Sequence, residues 1–422
     1  MLSNTLFSPQ SFSERGSQDG TVIFTVCSVN YLIKAIALGL SVLDHHDDVD
    51  FTILVADGKR PIELEDPRIH LLWAEDLGFP TYLHCAFKYN IIEFNTALKP
   101  YVTLHLLGKY QRVIYLDPDV CVYSPLISVL EGLSDYTAVF TPHALSPYEG
   151  LGRPSDRDLL RFGSNNLGFF AIRRCDEARK MLYWWHNRCL AECFYEPQLG
   201  LGVDQKWIDL TFGFFDGIGL LKDPGLNVAF WNLHERKVSC TADGWRINGH
   251  YKLGFVHFSS FVEQDTLAVA DKQSRYASGT RPDFTQVAEV YRDYLTRAKP
   301  LVRVSDFRYS YSHFDNGDTI SPTLRRFYAI SVRPDIHAAA NPFAAGGTVH
   351  QFAKNNGLIS RHGVSTAHKT FKEKAEFSRE QRIIAVFFRL TLRFLGPDRY
   401  FNLMRYIAHY SSLLNQTDLF RK

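Results

Sequence analysis

Hydrophobic residues in this chain gather into short unbroken runs, separated by longer stretches of helical period. Residues 21–26 (TVIFTV), 51–56 (FTILVA), 113–116 (VIYL), 136–140 (YTAVF) and 165–172 (NNLGFFAI) have strand length and are rich in β-branched and aromatic side chains. Runs without polar alternation predict strands buried on both faces of a sheet. Between the first two, a polar loop at 27–31 leads into an amphipathic helix over 32–44. Strand, helix and strand within about 35 residues make a βαβ unit, which predicts parallel pairing and an α/β fold. Helices are also expected over 89–107, 177–193 and 284–297, with a short strand at 70–73. A globular α/β domain is therefore expected over 21–300.

The pattern is sharpest at 112–126, RVIYLDPDVCVYSPL. An apolar run delivers Asp117 and Asp119 at its far end. Residues i and i+2 of an extended segment point the same way, and Pro118 biases Asp117 away from helical geometry. Both carboxylates then converge at the carboxyl edge of the sheet, where open α/β folds bind ligands. Two hard oxygen donors suit Mn²⁺ or Mg²⁺ carrying a phosphate. A bare Asp-x-Asp is more often a polar strand end followed by a turn, but the apolar lead-in and the segments downstream weigh sharply against that here.

Composition narrows the classes. The chain has 422 residues and a formal net charge of +2, which gives no general attraction to nucleic acid. Its seven cysteines (27, 85, 121, 175, 189, 193, 240) are scattered and contain no Cys-x-x-Cys pair. That predicts reduced thiols in a cytoplasmic protein rather than a disulfide frame or zinc site. Residues 1–20 are rich in Ser, Gln and Gly and are expected to be a disordered leader. No run of about twenty apolar residues predicts a membrane span. The turn at 44–50 (DHHDDVD) reads as solvated charge between helix and strand rather than a metal site.

Residues 301–422 differ, being loop-rich to 350 and helical after 366. Arg382, Arg389 and Arg393 share one helical face among Ile, Val, Phe and Leu. Peripheral contact at the inner face of the membrane is one reading. A helix packed on its own domain with an arginine edge is the preferred one.

Other polar groups in apolar surroundings are candidate chemistry. His257 lies in a strand-like run (FVHFSSF), and Asp204 and Gln205 lie in a loop entering a helix. Asn165 and Asn166 precede a strand. One function uses all of them, transfer of a sugar from a nucleoside-diphosphate donor. A metal would neutralise the charge growing on the diphosphate, and amides and carboxylates would orient the sugar hydroxyls.

The ordered set YLDPD, NNLGFFAI, DQKWIDL, NVAFWNLHER and HFSSF resembles bacterial nucleotide-sugar glycosyltransferases of the GT-A fold, and more distantly glycosyltransferase family 8. The resemblance covers roughly residues 21–300. It implies a Rossmann-like mixed sheet flanked by helices, with a mainly helical C-terminal extension over 301–422. Asp117, Asp119 and His257 match that family's metal ligands, Asp117 also meeting the donor. Asn166 matches the asparagine that meets the donor sugar, and Asp204 and Gln205 the pair near the anomeric carbon. Thr25, Ser28, Tyr31 and Asp57 lie where the nucleoside is held. The implied donor is a nucleotide sugar, a UDP-sugar by preference, and the acceptor a glycan or lipid-linked molecule. Ser260 stands where the late motif has glycine, and no Lys-Pro-Trp follows it, so a diphosphate-contacting lysine is unassigned. Retained and inverted configuration both stay open, with Asp204 the candidate base for inversion. Two rivals remain: a non-catalytic nucleotide-sugar-binding or scaffold protein, and a haloacid-dehalogenase-type phosphatase using Asp117 as nucleophile.

Overall fold

The central sheet has seven strands. In chain order its members are β1 (Thr21–Cys27), β2 (Val49–Val55), β3 (Ile69–Trp73), β4 (Arg112–Leu116), then β6 (Ala138–Pro142), β7 (Asn165–Arg173) and β8 (Ile218–Leu220). Between β4 and β6, β5 (Val120–Val122) leaves the sheet and pairs antiparallel with β9 (Phe255–His257). The order across the sheet is β8-β6-β7-β4-β1-β2-β3. This computed structural model describes residues 20–79, 81–331, 333–360 and 378–417. The leader expected over 1–20 lies outside them except for Gly20.

The α/β class expected from the sequence is what the chain adopts. Pairing is parallel for β1/β2, β1/β4, β2/β3 and β6/β8. β7 runs antiparallel to both β4 and β6, so the sheet is mixed, and the parallel pairing predicted from the βαβ unit holds for the strands that unit joins. Hydrophobic periodicity reports burial and not strand direction, so the reversal left no mark in the pattern. It has a structural consequence. The first residues of β7 fall at the same edge as the last residues of β1, β4 and β6.

Both faces of the sheet are covered, which is why its strands read as unbroken apolar runs. One face carries Ile23, Phe51, Ile114, Val139 and Phe169 and shares a core with helices α1 (Leu32–Leu43) and α4 (Pro282–Ala298). On the other, Phe24, Tyr115 and Phe170 form a ring cluster that meets Trp185. Trp185 belongs to α3 (Asp176–Glu192), which packs on α2 (Ile91–Leu107). All four helices stand close to their predicted positions.

Contacts divide the chain into two units, the described parts of Leu83–Asn90 and Tyr311–Lys422 forming the smaller. Its core gathers Phe87, Phe314, Tyr328 and Phe343. Helix α5 (Pro322–Ile330) supplies the buried Arg325. Its guanidinium donates to the carbonyls of Ala86 (2.9 Å), Phe87 (2.7 Å) and Tyr89 (2.6 Å), and to Tyr311 O. The helix Tyr82–Lys88 ends here, so these include carbonyls that have no partner within the helix.

The chain ends in α6 (Ser378–Leu395) and α7 (Pro397–Tyr410). The preferred sequence reading of α6, a packed helix with an arginine edge, is overturned. None of its described side chains is buried, and Phe394 is 90% exposed.

Replacing Arg325 by leucine should strip four buried carbonyls of their donor. The expected loss is about 3 kcal/mol or more, with lysine restoring only part of it. Urea denaturation and amide exchange across α5 measure both. Native stability in Arg325→Leu would refute the role.

Candidate metal and donor site

Asp117 follows β4 directly, and its N–H donates to Gly168 O (2.8 Å), fastening the turn to β7. The Asp119 carbonyl accepts from Phe258 N–H (2.8 Å), next to the register that sets His257 opposite Val120. The short β5/β9 ribbon thus carries a histidine from 140 residues away back to the end of the central strand. His257 Nε2 lies 3.1 Å from Asp119 Oδ1 and 3.7 Å from Asp117 Oδ2. One ligand atom from each of the three residues falls within 4.8 Å of the others.

The imidazole is held from behind. His257 Nδ1 is 3.1 Å from Asn166 Oδ1, which also accepts from Gly168 N–H (3.1 Å) and Asn227 Nδ2 (3.0 Å). Because that amide oxygen accepts only, Nδ1 carries the proton and Nε2 faces the carboxylates. Trp231 closes the ring edge-on at 5.1 Å. Burial alone would lower the His257 pKa, and the neighbouring Asp119 carboxylate more than reverses this, leaving it raised. For Asp119, burial works upward and His257 more than offsets it, so its carboxyl is held low.

Lys99, from the middle of α2, is 3% exposed and adds a positive group. Its Nζ lies 3.3 Å from Asp117 Oδ1 and 3.1 Å from Asp204 Oδ2, donates to Leu167 O (2.9 Å), and sits over the Tyr115 ring. Burial would lower its pKa, and Asp117 and Asp204 together outweigh that and raise it. Asp204 is itself buried, and burial pushes its carboxyl up to about 6 despite Lys99. The sequence reading places Lys99 inside a helix but gives it no role. The available signal was a lysine between Leu98 and Pro100, inside a helix whose neighbours are apolar.

The motif at 227–236, whose residues had no individual roles, proves to be scaffolding. Asn227 Nδ2 donates to Asn166 and also to Thr141 Oγ1 (2.8 Å). Asn232 donates to Asn227 O (2.9 Å) and His143 O (3.0 Å), and accepts from Ala229 N–H (2.9 Å). Arg236 donates to Leu226 O (2.6 Å). The Val228 carbonyl accepts from His257 N–H (2.8 Å). Burial brings His143, which stands 3.3 Å from Asn166 Nδ2, down to about 4, so it is neutral at ordinary pH. Ser260 adopts φ +57°, the conformation that favours the glycine found there in the resembling motif.

The other predicted residues disperse. Gln205 lies at the start of the short helix Gln205–Ile208, accepting from Leu167 N–H (3.0 Å) and donating to Phe162 O (2.8 Å). Thr25 is enclosed in β1. Ser28 donates to Ala56 O (3.0 Å) and accepts from Asn95 (2.9 Å). Asp57 is fully buried and accepts from Val29 N–H, Gly58 N–H, Ser310 N–H and Arg60. Tyr31 is the exposed member of that group, at 40%. The expected Asn165 contact is also internal, to Asp209 (2.9 Å).

No family model matches the chain. It is 24% identical over 281 residues to the uncharacterized protein YfnF of Bacillus subtilis (strain 168), covering 64% of this chain and 90% of that one. To the uncharacterized protein YfnD of the same organism it is 24% identical over 251 residues, covering 56% and 77%. Among solved structures it is similar to the galactosyltransferase LgtC in complex with donor and acceptor sugar analogs. The TM-score there is 0.39 at 16% identity, over 65% of this chain and 95% of that one. The glycosyltransferase GlyE of Streptococcus pneumoniae gives 0.37 at 13% identity, over 74% and 73%. Likenesses of this size carry no argument about activity.

Gly168 permits the arrangement. A methyl group on its Cα would overlap the His257 imidazole and stand 2.8 Å from Asn166 Oδ1. Gly168→Ala should therefore rotate or expel the imidazole, at a cost of about 1–3 kcal/mol in stability. The affinity for Mn²⁺, read by titration calorimetry, should fall at least about tenfold. Unchanged Mn²⁺ affinity in a folded Gly168→Ala protein would remove His257 from the ligand set.

Proposed function

We propose that the chain is a divalent-metal-dependent glycosyltransferase. It would move a sugar from a nucleoside-diphosphate sugar, a UDP-sugar by preference, to a glycan or lipid-linked acceptor. The observation that supports this most is the convergence of Asp117, Asp119 and His257 at the carboxyl edge of the sheet. Two carboxylate oxygens and one imidazole nitrogen form a donor set that suits Mn²⁺ and accommodates Mg²⁺, with coordination positions left for phosphate oxygens. A metal bound there supplies Lewis-acid charge that stabilises the departing diphosphate.

The chain's own residues divide the remaining work. Lys99 fixes Asp117 and Asp204 relative to each other and keeps both charged side chains tolerable in an enclosed site. Asn166 is bonded to four protein partners, so its contribution is better read as orienting His257 than as meeting a hydroxyl. Ser28 and Asp57 shape the loop after β1, and Tyr31, on that loop, offers an exposed ring for a nucleoside. Asp204 is 1% exposed and ion-paired, which keeps it from an acceptor hydroxyl. That argues against Asp204 as the base of an inverting reaction and assigns it to holding Lys99 in place.

The decisive experiment combines binding and turnover in the intact chain. A nucleoside diphosphate that binds only the folded state raises apparent stability by about 2.7 kcal/mol at a hundredfold excess over its dissociation constant. That shift should require Mn²⁺ or Mg²⁺ and should be largest for UDP. Slow hydrolysis of the matching donor should accompany it, and Asp119→Asn should lower turnover by about a hundredfold or more. Full metal-dependent turnover in Asp119→Asn would sink the assignment. Binding without hydrolysis or transfer would favour the scaffold reading, and phosphomonoester cleavage would favour the phosphatase.

A further inference from the structure

Helix α6 is exposed over most of its circumference, Ile384, Val386 and Leu392 included, and carries two strips. Ile383, Phe387, Leu390 and Phe394 follow at intervals of four, three and four, the spacing of one helical face, and are 61, 61, 59 and 90% exposed. Arg382, Arg389 and Arg393 form the second strip, about 100° around the axis, and are exposed as well. A different side of α6 meets α7, where Phe388 approaches Tyr400 at 6.5 Å between ring centres. α7 adds the exposed Phe401, Tyr406 and Ile407, together with Arg399 and Arg405. Against the arginines named here, Asp398 is the one carboxylate among the described side chains of the two helices.

We propose that α6 is a membrane-surface helix, its apolar strip entering the acyl boundary of an anionic bilayer and its arginines meeting the headgroup phosphates. The charge pattern selects this occupant. In an antiparallel symmetric pairing with a second copy, the apolar strips would face each other and set the arginine rows on one side, like charge beside like with no counter-charge supplied. An anionic lipid layer offers the opposite sign to the same row, and arginine stems reach from an apolar strip to phosphate level. No helix among the described residues is long and apolar enough to cross a membrane, so the helix lies in the interface. The inference does not depend on the proposed transfer reaction, since lipid binding is read with neither donor nor metal present.

Flotation of the full chain with phosphatidylglycerol vesicles, and separately with phosphatidylcholine vesicles, tests it. Binding is expected to the first only and should weaken as salt rises. Joint replacement of Arg382, Arg389 and Arg393 by glutamine should lower the partition by about a hundredfold. Phe387→Asp with Phe394→Asp should abolish it. All of these side chains are exposed, so the thermal unfolding of each variant should match the parent and separate lost binding from lost fold. Failure of the intact chain to bind phosphatidylglycerol vesicles would overturn the proposal. So would equal binding to both lipids, or unchanged binding by the phenylalanine variant. Lipid-free self-association that Phe387→Asp abolishes would give the strip to a second copy and overturn it too.

Discussion

A single oxygen, Asn166 Oδ1, ties the site together. It accepts from a main-chain N–H within its own strand, from the amide of Asn227 and from the ring of His257. These donors come from three segments that are far apart in sequence, and two of them lie outside the sheet. The bond to His257 also fixes which ring nitrogen is free to face Asp119. Removing the oxygen would leave buried donors unpaired, at about 1–3 kcal/mol each. A register shift between Phe140 and Thr141 lets β7 present Asn166 at this point, since beyond it Thr141 pairs with Asn166.

Charge is the second constraint. Three carboxylates (Asp117, Asp119, Asp204) face two cationic side chains, Lys99 and His257. Burial acts against every charged group here, and their mutual attraction has to outweigh it. It does so for Lys99 and His257, whose pKa values are raised, and fails for Asp204, which is pushed up to about 6. The imbalance leaves an excess of acceptors at the more open side, where Asp117 retains 26% of its side-chain exposure. The excess negative charge lies where Asp117, Asp119 and His257 converge.

What the sequence made legible follows from what periodicity measures. The buried strands and the four helices around the sheet were readable because each buries a face of known period. The pair of aspartates was readable because the apolar strand that aims them is adjacent in the chain. His257 was legible only through the resemblance of its motif, since one histidine in an apolar run has the same signature as a core residue. Lys99 was visible only as a charge embedded in a helix, and Asn232 only as part of a motif, neither with a role. Each relies in part on a distant partner, Asp204 and Leu167 for Lys99 and His143 for Asn232, and a partner supplied by tertiary packing leaves little local mark. Asp57 shows the converse. It ends a strand where ligands bind, yet its carboxylate is spent on Val29, Gly58, Arg60 and Ser310. The reversed direction of β7 and the exposure of α6 were hidden for the same reason. Amphipathic spacing defines a face but not what covers it.

Backbone strain clusters where these side chains are aimed. Among the described residues, Val203, Asn227, Asn248 and Ser260 are the non-glycine residues with positive φ. Three of them border the site: Val203 precedes Asp204, Asn227 reaches Asn166, and Ser260 follows His257 by three residues. A β-branched residue at φ +49° is the least tolerant case, and such positions cost about 1–3 kcal/mol each. Local bonds oppose that cost. Val203 N–H donates to Phe194 O (3.1 Å), Ser260 O accepts from Asp271 N–H (3.0 Å), and Asn227 uses both its amide and its carbonyl. At Asn227 the side chain that tolerates the left-handed conformation also makes the contact that requires it. Val203 has no such excuse, because its side chain gains nothing from the geometry. What the strained turn secures is the direction of the next residue, which sends the Asp204 carboxylate back toward Lys99 instead of out along the helix it begins. Strain held at these points fixes the directions of Asp204, Asn227 and the segment after His257 before anything else is bound to them.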